Sequence, residues 1–194
     1  MEKLLAQWYL QSQQISPVRI NRLTRKRLME RCGEFGFTEG AEIGVDRGTF
    51  SEYMFSVIPN LHLLCVDPWC WEQRGEERYK TTSDKLAQYN ATIIRKPSTD
   101  ASFDVEDESL DFIFVDGNHT FDYAMVDLIL WARKVKIGGL IALHDFYNFR
   151  GAGVIPAVET YTRQHGIEQW FLTDEKTPTA FWIRTAEPFV LDQK

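Results

Sequence analysis

Five short apolar segments, each followed by a turn or a helical pattern, constrain the fold of this chain most strongly. In chain order they are AEIGV, LHLLCVD, ATIIRK, LDFIFVD and GGLIALHD. Helices are predicted between them at about 49–57, at TTSDKLAQYN with Thr82 or Ser83 as the cap, and at FDYAMVDLILWARKV with Thr120 as the cap. Strands that alternate with helices form a parallel sheet covered on both faces. The sequence therefore predicts a doubly wound α/β fold.

The C-terminal part departs from this alternation. A helix predicted at about 155–165 is followed by two aromatic strands, IEQWFLT and TAFWIRT, which are joined by the turn DEKTP. This turn is too short for a crossover helix, so the two strands must be antiparallel. We expect seven strands in all, of which the last in sequence is antiparallel to its neighbours.

The N-terminal region lies outside the alternating pattern and carries an unusual charge. Residues 1–36 are predicted to be a helical extension, with helices at about 2–12 and 20–35, and residues 37–194 form the main domain. Seven basic and three acidic residues give positions 1–35 a charge of +4, whereas the whole chain has a net charge of -6. A solvated helix face explains the basic cluster better than an RNA-binding surface does, so we expect no nucleic-acid partner.

The remaining composition excludes several classes of protein. No apolar run approaches the roughly 20 residues of a membrane helix, and the N-terminus lacks a signal-peptide pattern, so we expect a cytoplasmic protein without a membrane partner. The three cysteines, Cys32, Cys65 and Cys70, form no CxxC pair. Their number and spacing argue against a disulfide framework and against a thiolate zinc site.

Acidic residues recur where the predicted strands end. Glu42 lies in the first strand, and Asp67, Asp116 and Asp145 end the second, fourth and fifth strands. The carboxyl ends of parallel strands meet at one edge of the sheet, where ligands bind in this architecture. Each acid alone could be a helix cap or part of a loop salt bridge. Several buried acids together favour a polar ligand or a metal ion.

The turn GVDRG after the first strand narrows the kind of ligand. Gly44 and Gly48 allow the backbone to approach a ligand closely. A dinucleotide-binding turn would read GxGxxG, whereas Asp46 and Arg47 stand here, and an acid would repel a pyrophosphate. Asp67, about 20 residues further on, suits the two hydroxyls of a ribose. The pattern favours a ligand with a ribose and disfavours a nicotinamide oxidoreductase.

Several motifs in this order resemble those of the class I S-adenosylmethionine-dependent methyltransferases. They are EIGVDRG, VDPW at 66–69, and the segment 111–146, which contains VDGNHTF and LHDF. The closest similarity is to the small-molecule O-methyltransferases with DGxH and HDF or HDY motifs, and it covers about 40–185. The resemblance implies a Rossmann-like sheet of order 3-2-1-4-5-7-6. It also implies methyl transfer from S-adenosylmethionine to a hydroxyl of a small molecule such as a sugar or a natural-product scaffold.

The resemblance assigns seven residues to the cofactor: Glu42, Gly44, Gly48, Asp67, Trp69, Ser98 and Asp116. Glu42 would lie near the methionine moiety, Asp67 would hold the ribose and Asp116 would lie beside the reacting methyl group. Trp69 would cover the adenine, although ordinary hydrophobic packing explains a tryptophan there equally well. Asp46 stands where the commonest motif has a glycine.

Two catalytic schemes remain open, with Asp116, His119 and His144 as the candidate catalytic residues. In the first, Asp116, His144 and Asp145 hold a divalent cation, Mg²⁺ or Mn²⁺, which orients the acceptor hydroxyl; a histidine ligand favours the softer ion. In the second, His119 or His144 is a general base without a metal. The histidines could also have only structural roles.

Alternatives for the whole protein are an RNA methyltransferase that uses the basic N-terminal segment, and a nucleotide-binding protein without activity. The N-terminal extension would also suit a homodimer interface or an active-site lid. The segments 69–79 and 146–151, together with the basic N-terminal region, are the predicted walls of the acceptor site.

Overall fold

A single mixed sheet with helices on both faces organises the protein. The computed structural model describes residues 15–70, 74–149 and 151–185. In these ranges the strands are β1 Val18–Arg19, β2 Glu39–Ile43, β3 His62–Val66, β4 Ala91–Ile94, β5 Leu110–Val115, β6 Val135–Leu143, β7 Phe171–Leu172 and β8 Ala180–Ile183. The helices are α1 Arg25–Glu34, α2 Thr49–Val57, α3 Gly75–Leu86, α4 Ser98–Ala101, α5 Phe121–Trp131 and α6 Val154–Gln164.

The strand order is β1-β7-β8-β6-β5-β2-β3-β4. Strands β2 to β6 pair in parallel, whereas β8 is antiparallel to both β6 and β7. The doubly wound fold and the antiparallel terminal hairpin are therefore confirmed. Apart from β1, the order is the predicted 3-2-1-4-5-7-6.

Strand β1 corrects the predicted count of seven strands and the wholly helical description of the N-terminal extension. It is an eighth, edge strand, parallel to β7. The backbone N–H of Val18 donates to Trp170 (3.1 Å), and that of Ile20 donates to Leu172 (2.9 Å). Two paired residues are too few to give an alternating sequence pattern, which explains why the strand was not predicted. The helix predicted at about 2–12 lies outside the described residues.

Helix α1 follows β1 and packs against the sheet. Thr24 precedes it, and the Thr24 side chain accepts a hydrogen bond from the backbone N–H of Arg27 (3.3 Å). The buried face of the helix carries Leu28, Met29 and Cys32, which belong to the same core cluster as residues of the central strands. The part of the N-terminal extension that is described here thus shares the core of the main domain.

Helix α3 begins earlier than predicted. Either Thr82 or Ser83 was expected to cap it, but the helix starts at Gly75 and both residues lie within it. Its first turns are polar, with Glu76 and Glu77, and therefore lack the apolar period by which a helix is recognised. Instead of capping, the Thr82 hydroxyl donates to the carbonyl of Asp46 (2.8 Å). This bond ties the helix to the turn that follows β2.

Two apolar layers cover the sheet. One contains Trp131 of α5 and Ile113 of β5, and the other contains Leu28 of α1 and Phe112 of β5. Helix α5 begins after Thr120 as predicted, but the Thr120 side chain makes no capping hydrogen bond. The three cysteines are free. No helix in the described ranges is long and apolar enough to cross a membrane.

Candidate active site

The predicted site residues meet where the parallel strands β2, β3, β5 and β6 end, here called the carboxyl edge. Gly44, Asp67, Asp116 and His144 each directly follow a strand. Their backbone N–H groups continue the ladder: Gly44 donates to Val66 (2.8 Å), Asp116 to Ile43 (2.7 Å) and His144 to Val115 (2.9 Å). The parallel hydrogen-bond ladder thus brings these four residues to one edge of the sheet, as their positions at the strand ends predicted.

Gly44 is required for contact between two strand ends. Its φ is 93°, and a Cβ there would lie 2.2 Å from the carbonyl oxygen of Asp116 and 2.7 Å from the Cα of Gly117. From its place in the sequence, this glycine was expected to let the backbone approach a ligand. In the structure it lets the backbone after β5 pack against the turn after β2, so any larger residue would push these two backbone segments apart.

The turn after Gly44 accommodates Asp46 in place of a glycine. Asp46 has a φ of 46°, in the left-handed region that aspartate tolerates better than most residues. Its carbonyl accepts hydrogen bonds from the Trp69 indole and the Thr82 hydroxyl, both 2.8 Å. Its carboxylate pairs with Arg78. These contacts hold the turn in shape and direct the acid of Asp46 towards helix α3.

Asp67 is 7% exposed and closes the same turn. Its Oδ2 accepts the backbone N–H groups of Val45 (3.0 Å) and Asp46 (2.9 Å), and its Oδ1 accepts that of Trp69 (2.7 Å). A carboxylate has about four lone-pair positions, so one on Oδ1 stays available to a hydroxyl donor. Asp67 therefore shapes the turn and keeps a limited capacity to bind a ribose.

Glu42 lies in β2 and is 2% exposed. Burial raises its pKa to about 8, although a hydrogen bond from Ser51 opposes the shift. The side chain therefore carries its proton at neutral pH, and the carboxyl group can donate as well as accept. A neutral acid next to Asp67 and Asp116 limits the negative charge buried at the carboxyl edge.

Trp69 and Ser98, the two residues that the resemblance assigns to the adenine, both make contacts with other side chains of the protein. Trp69 is 2% exposed and its ring packs against Tyr79, with centroids 5.3 Å apart. The Ser98 hydroxyl donates to Asp127, and the Ser98 carbonyl accepts from the Trp131 indole (3.1 Å). In this conformation the Trp69 ring belongs to the core, as the packing interpretation expects.

Sequence reasoning missed Asp127. It is 2% exposed on the buried face of α5, and burial raises its pKa to about 6. The available signal was its spacing, because Asp127 falls between Ala124 and Trp131 on the apolar stripe of the helix. An acid in such a stripe needs a polar partner, and Ser98 is that partner.

His119 bridges two acids of the carboxyl edge. Its Nε2 lies 3.4 Å from Asp116 Oδ1 and 3.0 Å from Asp145 Oδ2. Hydrogen bonds to Asp116 and Asp145 raise the pKa of His119 to about 9, so the imidazole is protonated at neutral pH. The hydrogen bond between His119 and Asp145 also lowers the pKa of Asp145. In this arrangement His119 is a hydrogen-bond donor and cannot take up a further proton.

His144 has the opposite character. It is 5% exposed, its Nδ1 lies 3.0 Å from Thr179 Oγ1, and its Nε2 lies 3.4 Å from Thr177 Oγ1. Burial lowers its pKa, so the ring is neutral. One ligand atom from each of Asp116, His144 and Asp145 can be chosen so that all lie within 4.8 Å of one another. Two carboxylates and a neutral imidazole are a suitable donor set for a divalent cation.

Arg25 is a second residue of the edge that sequence reasoning did not assign. Its Nη1 lies 3.7 Å from Asp116 Oδ2, and its guanidinium lies over the Phe50 ring, 5.2 Å from the centroid. The backbone N–H of Arg25 donates to Glu175 in the β7–β8 turn (2.7 Å). Because this contact depends on strand β1 joining the sheet, no local pattern revealed it.

A cavity of about 260 Å³ adjoins the pair formed by His119 and Asp145. Its lining is Asn118, His119, Thr120, Asp145, Tyr147, Phe149, Gly151 and Ala152. The predicted acceptor wall at 146–151 contributes to it, whereas helix α3 takes up much of the predicted loop at 69–79. A larger cavity, about 400 Å³, lies away from these acids, around Arg133 and Trp182.

A doubly wound sheet closed by an antiparallel hairpin, with acids at the ends of the strands, has the architecture of the class I methyltransferases. A family model described as "Methyltransferase domain" matches residues 41–146. The chain belongs to this methyltransferase-domain family, which confirms the predicted class at the level of family and fold.

The chain is also similar to individual proteins. The chain is 29% identical over 113 residues to the uncharacterized protein y4gI of Sinorhizobium fredii, covering 55% of this chain and 11% of that protein. It is 29% identical over 123 residues to the uncharacterized protein R132 of Acanthamoeba polyphaga mimivirus, covering 60% and 56%. The chain thus spans only part of these curated relatives. The O-methyltransferase TomG from Streptomyces achromogenes, solved with S-adenosylmethionine, has a similar fold with a TM-score of 0.60 at 14% identity, covering 95% of this chain and 89% of TomG.

Proposed function

We propose that this protein transfers the methyl group of S-adenosylmethionine to a hydroxyl oxygen of a small-molecule acceptor, such as a sugar or a natural-product scaffold. The position of Asp116 carries this proposal. Its backbone packs against Gly44 in the turn expected to bind the cofactor, and its side chain contacts His119, which lines the cavity. Asp116 thus joins a cofactor half and an acceptor half of one site.

The residues of the first half fit the cofactor. S-adenosylmethionine carries a sulfonium, an ammonium and two ribose hydroxyls, which attract or donate to acidic oxygens. Asp67 retains one lone-pair position for a ribose hydroxyl, Glu42 supplies a protonated carboxyl group, and Asp116 supplies a carboxylate for the region of the sulfonium. Ser98 is fixed through Asp127 where it would border the adenine.

In the acceptor half, the acceptor oxygen would attack the methyl carbon while the carbon–sulfur bond breaks and its electron pair stays on sulfur. His119, already protonated, would hold the acceptor oxygen by donating to it rather than remove its proton. Tyr147 and Phe149 would pack against the acceptor scaffold. Positioning of this kind accounts for much of the rate in a direct transfer.

The proton of the acceptor hydroxyl must also leave. His144 is neutral and 5% exposed, its Nδ1 is held by Thr179 at 3.0 Å, and its Nε2 lies 3.6 Å from Asp145 Oδ1, which favours a ligand over a general base. A divalent cation held by Asp116, His144 and Asp145 would lower the pKa of the acceptor hydroxyl, so that its proton would pass to solvent water before the methyl transfer. The imidazole in this donor set favours Mn²⁺ over Mg²⁺.

Several basic side chains of the N-terminal segment already have partners within this protein. This favours a small acceptor over RNA, because these side chains are less available to bind phosphates. Arg19 donates to the carbonyl of Thr173 (2.9 Å), Arg31 pairs with Glu34, and Lys26 lies over the Tyr53 ring. These charges are therefore partly compensated before any partner binds.

Calorimetric titration with S-adenosylmethionine, S-adenosylhomocysteine and NAD tests the cofactor. We expect the first two to bind and Asp67→Ala to weaken both by at least about tenfold, a loss typical of a buried charge-assisted hydrogen bond. Asp111→Ala is the matched control, because Asp111 also accepts two backbone N–H groups, from Thr38 and Glu39, away from the site. Binding of NAD alone would refute the proposal, and equal losses in both variants would refute the role of Asp67.

The metal is tested by Mn²⁺ titration followed by electron paramagnetic resonance, and by release of S-adenosylhomocysteine from a pool of hydroxylated acceptors with and without EDTA. Asp145→Asn should abolish Mn²⁺ binding and lower turnover, but spare cofactor affinity. Asparagine is chosen because residue 145 has a φ of 59°, which asparagine tolerates. Turnover that persists in EDTA without Mn²⁺ binding would favour His144 as a general base.

A further inference from the structure

Arg25 places a fixed positive charge at the end of β5. It is the first residue of α1, its backbone N–H is held by Glu175 at 2.7 Å, and its guanidinium lies over the Phe50 ring. The side chain is 33% exposed and its Nη1 lies 3.7 Å from Asp116 Oδ2. A guanidinium that stacks on an aromatic ring, on a residue whose backbone is also fixed, leaves the edge less freely than that of an ordinary surface arginine.

Asp116 therefore has a cationic neighbour on one side. The guanidinium of Arg25 lies 3.7 Å from Oδ2, and the His119 ring lies 3.4 Å from Oδ1. The Asp116 side chain is only 26% exposed, so water screens its interaction with Arg25 in part. A cationic cofactor that approaches Asp116 must therefore share this carboxylate with Arg25.

The two forms of the cofactor differ by one methyl group and one positive charge. S-adenosylmethionine carries a sulfonium, whereas S-adenosylhomocysteine, formed when the methyl leaves, carries a neutral thioether. We infer that Arg25 sets the affinity ratio of these two forms, because its guanidinium competes with the sulfonium for Asp116 and leaves the thioether unopposed. This inference rests on the proposed function, which places the sulfur beside Asp116.

The expected effect follows from simple electrostatics. Two unit charges about 6 Å apart at a partly exposed site change an equilibrium constant by about threefold to tenfold. Loss of the Arg25 charge should therefore improve binding of the sulfonium form by about that factor and change binding of the thioether form little. Arg25 is thus a determinant of how tightly the sulfonium form binds relative to the thioether form, rather than a group that takes part in the transfer.

The test is calorimetric titration, in EDTA so that no metal ion competes for Asp116, of wild type and Arg25→Gln with both forms of the cofactor, and with an analogue in which a protonated amine replaces the sulfonium. Arg25→Met, which keeps a long unbranched side chain without the charge, is a second uncharged variant should the first fold poorly. In both, the two cationic ligands should gain about threefold to tenfold in affinity relative to the thioether.

Lys26→Gln is the matched control. It removes the same charge from the next position of α1, but the Lys26 ammonium lies over the Tyr53 ring, 4.8 Å from its centroid. The ratio should stay at the wild-type value in this variant and in Arg25→Lys. An unchanged ratio in Arg25→Gln and Arg25→Met, or the same shift in Lys26→Gln, would overturn the inference alone. Binding of neither form by wild type would instead overturn the proposed function and this inference with it.

Discussion

Asp127 shows how a single buried residue can connect the hydrophobic core to the proposed site. It lies on the apolar face of α5, one turn before Trp131, and both side chains bind Ser98. The carboxyl group and the indole thus fix one residue of the edge from two directions. Because the Ser98 hydroxyl donates a hydrogen bond to Asp127, its oxygen keeps lone pairs for a ligand.

The raised pKa of Asp127 predicts a pH-dependent stability. The pKa rises from 3.8 to about 6 on folding, so the folded protein binds the proton more tightly and loses stability as pH rises from about 4 to about 6. Asp127→Asn, which is neutral at all pH values, should escape this loss and exceed wild type by about 2 to 3 kcal/mol above pH 7. Urea unfolding of both proteins between pH 4.5 and 8 measures the difference. A difference independent of pH would mean that Asp127 is not protonated in the folded state.

The helices and strands that could be predicted from the sequence are those whose limits are marked by nearby residues. Helix α2 has the predicted bounds Thr49–Val57, because Gly48 and Pro59 limit it on both sides. The convergence of Asp67, Asp116 and His144 was also predictable, since parallel strands must bring their carboxyl ends to one edge.

Elements that depend on distant pairing could not be predicted. Strand β1 exists only because β7 lies beside it, and its two residues carry no period of their own. The approach of Arg25 to Asp116 follows from that pairing and from the contact with Glu175, which is 150 residues away in sequence. The contacts of Thr177 and Thr179 with His144 likewise require the terminal hairpin to turn over the site.

The whole molecule is built on a sheet shared by two apolar layers, and the N-terminal segment supplies part of one layer. Leu28 of α1 is 1% exposed in the first layer, and Leu128 of α5 is 0% exposed in the second. Both layers pack against the same central strands. A substitution that destabilises one layer should therefore also destabilise the sheet against which the other layer packs. From this packing we expect residues 15–36 to unfold together with the main domain, although the sequence suggested a boundary after residue 36.

Leu28→Val and Leu128→Val test whether the two layers unfold together. Each removes one methylene from a buried side chain and should cost about 1 kcal/mol. In a single cooperative unit, each variant shifts one common urea transition, seen alike by circular dichroism and tryptophan fluorescence. The double variant should then be additive within about 0.5 kcal/mol, since the residues lie on opposite faces of the sheet. A separate early transition moved only by Leu28→Val would show instead that the N-terminal segment unfolds by itself, and Arg25 would then leave the site without loss of the main domain.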